Sequence, residues 1–321
     1  MALTTQTGAP VDRLVGRATV TALARLEAGR LVRHPVLILG VLLLLVQETT
    51  LLWDVPANRW ANDAYSTIAT WGFLLGATFI VANLAALRDR EETTAETFRA
   101  VAPTERDRTV ALMLAGLVPV VLAAVVSVYV AVLVVRVGGL PVGEARGTGF
   151  FRLSFAEIAN PVAQTAAAFA AGVATAKIAR SRALGVVIGV LGSFFLVEGF
   201  WLWAWFPAVF LTPVALAPRM TEDLGTFPSR EVLQQTPLLD LPDSYDPNFH
   251  AVAMEVGRVG WHAVFLVGMT MLFAGVALAR SSGTRWHPLR LVIGGAVVAA
   301  LGFAMQVWAT HQSFAWFQVV G

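Results

Sequence analysis

The sequence predicts an all-α, polytopic membrane protein. Apolar residues make up 57% of the 321-residue chain and charged residues only 14%, and the mean hydropathy is +0.68. The charged residues are concentrated between apolar runs of about 20 residues, the length that an α-helix needs to cross about 30 Å of hydrocarbon. The runs lack the alternating periodicity of a β-barrel, so their backbone groups must form hydrogen bonds within helices.

Seven apolar runs are predicted to be membrane spans. They are too long and too continuously apolar for strands, which indicates helices. Together with their connections they form a transmembrane domain over residues 34–321. The predicted spans are residues 35–53, 65–87, 109–137, 158–179, 183–210, 259–279 and 291–309.

Basic residues predict the orientation of these spans. With the N-terminus in the cytosol, sixteen of the 23 Lys and Arg residues fall on the cytosolic side and the rest outside. Several of the outer ones lie in the long loop 211–257, which counts for little under the positive-inside rule. Trp53, Trp201 and Trp308 then fall near the outer interface, where indole rings prefer to lie. We therefore expect a multi-pass protein of the cytoplasmic membrane with a cytosolic N-terminus and an external C-terminus.

The segment before the first span, residues 1–33, is predicted to be a short tip followed by a helix. It has no apolar core with a small-residue cleavage site, so no signal peptide is predicted. Residues 19–33 intersperse leucines and arginines in a pattern suited to the cytosolic surface of the membrane. The alternative is that the arginines only set the topology. The residues concerned are Leu23, Leu26, Leu31, Arg25, Arg30 and Arg33.

The loop 88–108 is the longest strongly charged run, and two predicted spans bracket it. Placed on a helix, its apolar residues share one face and its charged residues another. Pro103 ends this helix, and Thr104 with Asp107 forms a T-x-x-D pattern that caps the next one. The segment is either a docking helix with Phe98 as its apolar anchor or a solvated loop that keeps two spans in register. The apolar face holds Ala95, Phe98, Val101 and Ala102, and the charged face holds Glu92, Glu96 and Arg99.

The order of elements in the first third of the chain is distinctive. A basic segment, ARLEAGRLVRHPVLILG, is followed by two spans and then by REETTAETFRAVAPTERDRTVALMLA, which leads into a third span. This order resembles the permease subunits of the ABC-2 transporter family. In that family an interfacial helix precedes the first span, and a coupling helix between spans two and three sits in a groove of the ATPase subunit. The resemblance implies an interfacial helix at 19–33 and a coupling helix at 92–102.

The resemblance also implies what the chain does and with what partners. It implies a permease subunit of an ATP-driven exporter. The aromatic, apolar outer half of the fifth span, residues 194–206, predicts a hydrophobic or amphipathic substrate. No G-x-x-x-x-G-K-[ST] loop occurs in the sequence, so ATP and Mg would be bound by a separate P-loop ATPase and not by this chain. The chain itself would be non-catalytic. The residues implied to contact the ATPase are Glu92, Glu96, Phe98, Arg99 and Val101.

Members of the family work in pairs, which implies a second permease copy or a paralogue, surrounded by membrane lipid. Two G-x-x-x-G patterns, at 72–76 and 185–189, offer surfaces for close helix contact, either at a dimer seam or inside one subunit.

One feature departs from the family, whose members commonly have six spans and two cytosolic termini. Residues 291–309 look like a seventh span added to a six-span core. The loop 211–257 resembles the region where the family places re-entrant helices.

Ionisable groups inside predicted spans are candidates for a translocation path, because a charge in hydrocarbon costs roughly 3 kcal/mol on insertion scales. Glu198 lies within the fifth span, close to Trp201, and Glu48 lies in the outer half of the first. The alternative is a protonated or paired carboxyl that packs between helices. Glu157 needs no such role, because Ser154 and Glu157 form a capping box ahead of the fourth span.

Catalytic, metal and nucleic-acid functions are not predicted. Cysteine is absent, and the five histidines show no ligand spacing such as H-E-x-x-H. The net charge is only +2, spread over arginines in separate loops, which is unlike a surface that binds phosphates. The alternative to a permease is a stand-alone ion-coupled transporter or membrane enzyme without an ATPase partner. It would need Glu198 or Glu48 as its proton or ion site.

Overall fold

The fold is a bundle of helices with a very small strand ladder at one end. Among the residues that the computed structural model describes there are nine helices and three two-residue strands. The structure describes residues 9–53, 71–88, 104–137, 140–141, 150–151, 153, 155–179, 181–203, 239–240, 256–281 and 286–318.

The helices follow the apolar runs of the sequence. The strands β1 and β2 lie in the connection between α5 and α6, and β3 lies in the connection between α7 and α8. In chain order the elements are α1 Ala9–Val32, α2 Pro35–Leu52, α3 Gly72–Leu87, α4 Glu105–Ala115, α5 Leu117–Arg136, β1 Leu140–Pro141, β2 Phe150–Phe151, α6 Phe155–Ile178, α7 Arg182–Trp203, β3 Leu239–Asp240, α8 Val256–Ser281 and α9 Trp286–Gln318.

Each of the seven predicted spans coincides with one of these helices or with the pair α4–α5. Within the described ranges, four segments are long and apolar enough to cross a membrane, and α3 and the first half of α7 are shorter apolar helices. The chain is therefore a helical membrane protein, while the arrangement of six core spans and a seventh stays a prediction. The four segments are Pro35–Leu52, Glu105–Arg136, Gly260–Ser281 and Pro288–Trp308.

Large apolar side chains cover much of the outer surface of the bundle. On α5 five valines recur every three or four residues, and each is more than half exposed. In water such a stripe would be costly, whereas against lipid tails it is the expected surface. The exposed face of α2 has the same character, with Leu39 and Val46 projecting outward. The valines of α5 are Val121, Val125, Val128, Val132 and Val135.

The third predicted span, 109–137, is two helices and not one. The first begins earlier than predicted, at Glu105, because the predicted cap is present: Thr104 and Asp107 form both hydrogen bonds of a capping box. The two helices meet at Gly116. Pro119 lacks the amide hydrogen that would bond to the carbonyl of Ala115, so regular helix geometry fails at this point. A side chain at Gly116 would collide with the ring of Phe169 on α6, at 2.5 Å.

Helix α6 lies in the middle of the bundle and packs against α3, α5, α7 and α8. It is not among the four span-length apolar segments because Asn160, Pro161 and Gln164 lower its hydropathy. Alanine and glycine elsewhere along it allow close packing. A Cβ atom at Gly172, for instance, would overlap the backbone of Phe79 on α3.

The second predicted G-x-x-x-G pattern packs inside the chain. Gly185 and Gly189 of α7 face Leu87 and Asn83 of α3, and an added Cβ would lie 2.8 and 2.9 Å from those side chains. The amide nitrogen of Asn83 also donates a hydrogen bond of 3.3 Å to the carbonyl of Gly172. The sequence left open whether this pattern lies at a dimer seam or inside one subunit, and the observed contact lies inside one subunit.

Helices α8 and α9 form the most extensive helix pair in the described part of the chain. Their seam is built on glycines spaced seven residues apart, two on each helix. A Cβ atom at Gly268 or Gly302 would overlap the backbone of the facing helix, at Ala299 and Phe265 respectively. The helix that contains the predicted seventh span is therefore packed directly onto its neighbour. The seam glycines are Gly268, Gly275, Gly295 and Gly302.

Three two-residue strands form an antiparallel ladder in the order β1-β2-β3. Leu140 pairs with Phe151, and Phe150 pairs with Asp240, so the ladder joins the α5–α6 connection to the loop 211–257. Pro141 lies in an edge strand, where its missing donor does no harm. The all-α prediction missed this ladder because two-residue strands are too short to leave an alternating pattern.

Candidate functional site

The predicted ATPase-coupling residues lie outside the described residues. Glu92, Glu96, Phe98, Arg99 and Val101 all belong to the interval 89–103, between the end of α3 and the start of α4. The residues on either side of the interval are described, however. Arg88 and Thr104 show how its two ends are attached to the bundle, and this attachment is the candidate functional site. We call it the charged end of the bundle: Glu27, Arg88, Glu105, Arg108 and Lys177.

The first end of the interval is attached to α1. Glu27 makes an ion pair of 3.0 Å with Arg88 and a second one of 2.7 Å with Arg30. The side chain of Glu27 is only 17% exposed and that of Arg88 30%, so this pair is less screened by water than an ordinary surface pair. The end of α3 is therefore held by the helix that the sequence predicted to lie at the membrane surface.

Helix α1 presents Glu27 to the bundle because of its spacing. Leu23, Glu27 and Leu31 follow one another at intervals of four residues and so share one face. Leu31 is fully buried, and α1 packs mainly against α4. Leu26, which lies off this face, is about half exposed.

The second end of the interval is attached to α6 and α8. The backbone amide of Asp107 donates to the hydroxyl of Thr104 at 3.1 Å, and the amide of Thr104 donates to the Asp107 carboxylate at 3.2 Å. Lys177 of α6 reaches Glu105 at 3.2 Å. One turn further along α4, the hydroxyl of Thr109 lies 2.8 Å from that of Ser281 on α8. The start of α4 is thus capped and then bonded to two other helices.

A small cavity of about 30 Å³, room for about one water molecule, lies among these side chains. Its walls come from α1, α3, α4 and α6, and they include Leu23, Glu27, Arg108, Thr109 and Lys177. The side chain of Lys177 is only 6% exposed. Beside this cavity the same helices also share a packed apolar core, to which Leu31, Leu87 and Leu112 belong.

His34 joins α1 to α2 beside this cluster. It has an extended backbone and precedes Pro35, the first residue of α2, so the chain turns sharply between the two helices. Burial, and then the positive charge of Arg88, lower the pKa of His34 below its usual value of 6.5. The folded protein therefore favours the neutral imidazole.

We expect a pH dependence of stability that originates at His34. Because the pKa is lower in the folded state, the unfolded chain binds the proton more readily, and stability falls as the pH decreases from about 6.5. The H34Q variant should show a smaller loss of melting temperature between about pH 7.5 and pH 5.5 than the unmodified protein, since Gln cannot take up that proton. The measurement is thermal unfolding in detergent at both pH values. An equal loss in both proteins would contradict the assignment to His34.

The predicted translocation residues lie away from the charged end. Glu48 is fully buried on α2, so it faces the bundle and not lipid. Beside it, the hydroxyl of Thr49 lies 2.7 Å from that of Tyr129 on α5. Glu198 and Trp201 belong to α7, but their side chains lie outside the described residues.

The end of α5 lies against the end of α2, one turn beyond Glu48. The guanidinium carbon of Arg136 lies 3.9 Å from the centre of the Trp53 ring, which joins the end of α5 to the end of α2.

Glu157 lies in the first turn of α6, where the predicted capping box places it, and Ser154 lies outside the described residues.

Sequence reasoning did not single out Glu27, Glu105 or Lys177. Glu27 could have been found, because it interrupts a leucine face at four-residue spacing. The contact between Lys177 and Glu105 joins residues 72 positions apart, and no local pattern indicates such a pair.

Comparison with protein-family models and with curated proteins finds no match. The function must therefore be argued from the order of the elements along the chain and from the geometry of the charged end.

Proposed function

We propose that this chain is the transmembrane permease subunit of an ATP-driven exporter of the ABC-2 type. A separate P-loop ATPase supplies the energy and holds ATP and Mg, and it docks on the segment 92–102 through Phe98. The charged end of the bundle faces the cytosol, the C-terminus is external, and a second permease copy or paralogue completes the path. The cargo is hydrophobic or amphipathic.

The observation that carries the proposal is the way in which the interval 89–103 is attached. Its first end is tied to α1 by Glu27, and its second end is tied to α6 by Lys177 and to α8 by the Thr109–Ser281 contact. A push on the segment would therefore reach three helices that are distant in sequence. An energy-coupling element needs such a linkage, whereas a loop that only keeps two spans in register does not.

The alternative, a stand-alone ion-coupled transporter, is favoured by one observation. Glu48 is fully buried in a helix of membrane-spanning length, and an ionisable group in that position is a default candidate for an ion or proton site. This alternative requires no ATPase, so the two functions separate cleanly by experiment.

The experiment is co-purification from the native membrane. We expect the tagged protein, extracted in a mild detergent, to carry a P-loop ATPase in comparable amount, as identified by mass spectrometry. The F98D variant should lose the ATPase while remaining folded, because a carboxylate on the apolar docking face opposes burial at the interface.

A matched control is F155D. Phe155 is 84% exposed at the start of α6, at the opposite end of the bundle from Lys177, so its replacement should leave the ATPase bound. If the unmodified protein carries no ATPase, the exporter function is wrong and Glu48 becomes the lead. If F98D retains as much ATPase as F155D, the docking role of Phe98 is wrong.

A further inference from the structure

Helix α6 carries a row of polar side chains along one face. Asn160 and Gln164 are four residues apart, and Glu157 precedes them by one turn, so the three lie above one another. The proline between the two amides, Pro161, has no backbone N–H, and the helix lacks the hydrogen bond that residue 161 would otherwise donate. The row lies in the half of α6 that is remote from the charged end.

Both amide side chains are completely buried. Asn160 and Gln164 have no exposed surface, and neither the oxygen nor the nitrogen of either carboxamide has a hydrogen-bond partner among the residues that the structure describes. A buried polar group without a partner loses its hydrogen bonds to water and gains none in return, so two such side chains destabilise the closed packing. Buried polar groups in proteins normally have partners, and exceptions of this kind require an explanation.

Several other polar groups inside the same bundle are hydrogen-bonded, although the hydroxyls of Thr78 and Ser127 have no partner among the described residues. The hydroxyl of Thr165 donates to the carbonyl of Pro161 at 2.7 Å, on the same helix. His262 of α8 and Gln306 of α9 are both fully buried and lie 3.0 Å apart, ring nitrogen to amide oxygen. These groups are explained by helix packing. The carboxamides of Asn160 and Gln164 are not.

We infer that the Asn160–Gln164 face of α6 is a substrate-binding face of the translocation path, shown here in a closed state. A carboxamide is uncharged and offers both donors and acceptors, so the matching ligand group is neutral and hydrogen-bonding, such as the hydroxyls or amides of an amphipathic molecule. This inference rests on the proposed function as a permease. Closing α6 against its neighbours without a ligand leaves the amides unsatisfied, which favours reopening of the path.

Water access to the face gives the first test. The chain has no cysteine, so single replacements can be labelled with a maleimide without background. We expect N160C and Q164C, in native membranes with the partner chains present, to react about tenfold faster than A168C, because thiolates react only where water reaches them. Ala168 is a matched control, one turn further along α6 and only 1% exposed. Equal protection of all three positions would overturn the inference.

The class of ligand gives the second test. Monoolein, which has two free hydroxyl groups, should slow the labelling of Q164C several-fold, and methyl oleate, which has the same chain and no hydroxyl, should not. Slowing by both compounds, or by neither, would overturn the assignment of a neutral hydrogen-bonding ligand.

A third measurement separates recognition from a structural role. The N160L variant replaces the amide by an apolar group of similar shape, and its melting temperature should be unchanged or higher, since an unsatisfied polar group is removed. A clear fall in melting temperature would show that the amide stabilises the packed bundle and would overturn the inference. If only this inference is wrong, the ATPase still co-purifies with the chain. If the proposed function is wrong, no ATPase co-purifies, and the labelling pattern is unaffected.

Discussion

The G295A variant is expected to unfold at a clearly lower temperature than the unmodified protein. A Cβ atom at position 295 would overlap the backbone nitrogen of Leu272 and lie 2.8 Å from the carbonyl oxygen of Gly268. Backbone atoms of a facing helix cannot rotate away as a side chain can, so α8 and α9 must separate. Overpacking of this kind costs about 1–3 kcal/mol for one methyl group and more for a larger side chain. The G295L variant should therefore fail to yield folded protein.

The control for this prediction is the neighbouring residue. Gly294 lies on the same helix, and a Cβ atom there would meet only the end of the Met271 side chain, at an ordinary 3.7 Å. G294A should be neutral or slightly stabilising, because alanine favours a helix over glycine by about 1 kcal/mol. Thermal unfolding in detergent measures both variants. If G294A and G295A behave alike, the α8–α9 seam is not packed as described.

Reversal of the charge of Glu27 is expected to release α1 from the end of α3. In the E27R variant, three arginines face one another at positions 27, 30 and 88, in place of two ion pairs. The loss of the ion pair with Arg88 and the added repulsion should together destabilise the contact by about 1 kcal/mol. We expect a lower melting temperature and, under the proposed function, weaker retention of the ATPase.

The double variant E27R/R88E tests the cause. It restores opposite charges at the same two positions and should recover most of the lost stability, which a general disturbance of α1 would not allow. R30A provides a control, because Arg30 is half exposed and its pair with Glu27 is of the surface kind that contributes little. An E27R protein that melts like R30A would show that the Glu27–Arg88 pair does not hold α3.

The positions of the helices were predictable from the sequence because each is an apolar run bounded by charge or by a helix-ending residue. The Thr104–Asp107 cap was predicted and is confirmed, since capping depends only on neighbours in sequence. The break at Gly116 was missed, although Pro119 indicates it. The ladder at Phe150 was also missed, because its partners lie far apart along the chain.

The candidate site was predictable only in part, because side chains that meet across the bundle leave no local pattern. Arg88 belongs to the predicted loop 88–108, but the pairing of Lys177 with Glu105 depends on how α6 crosses α4. Asn160 and Gln164 do leave a signal, two amides at helical spacing in an apolar run. Being neutral, however, they lack the high cost in hydrocarbon that makes an ionisable residue of a membrane span a candidate site.

The break at Gly116 separates α4 from α5, so α4 can rotate about Gly116 as a short helix of its own. Its eleven residues give an arm of about 16 Å, so a swing of about 10° would carry its tip through about 3 Å. Gly116 itself has little room to shift, because the ring of Phe169 packs directly against it. Glu105 is the first residue of α4, and a rotation of this size would break its 3.2 Å contact with Lys177. A small rotation at Gly116 would thus be enough to separate α4 from α6 at this contact, while α5 beyond the break stays in place.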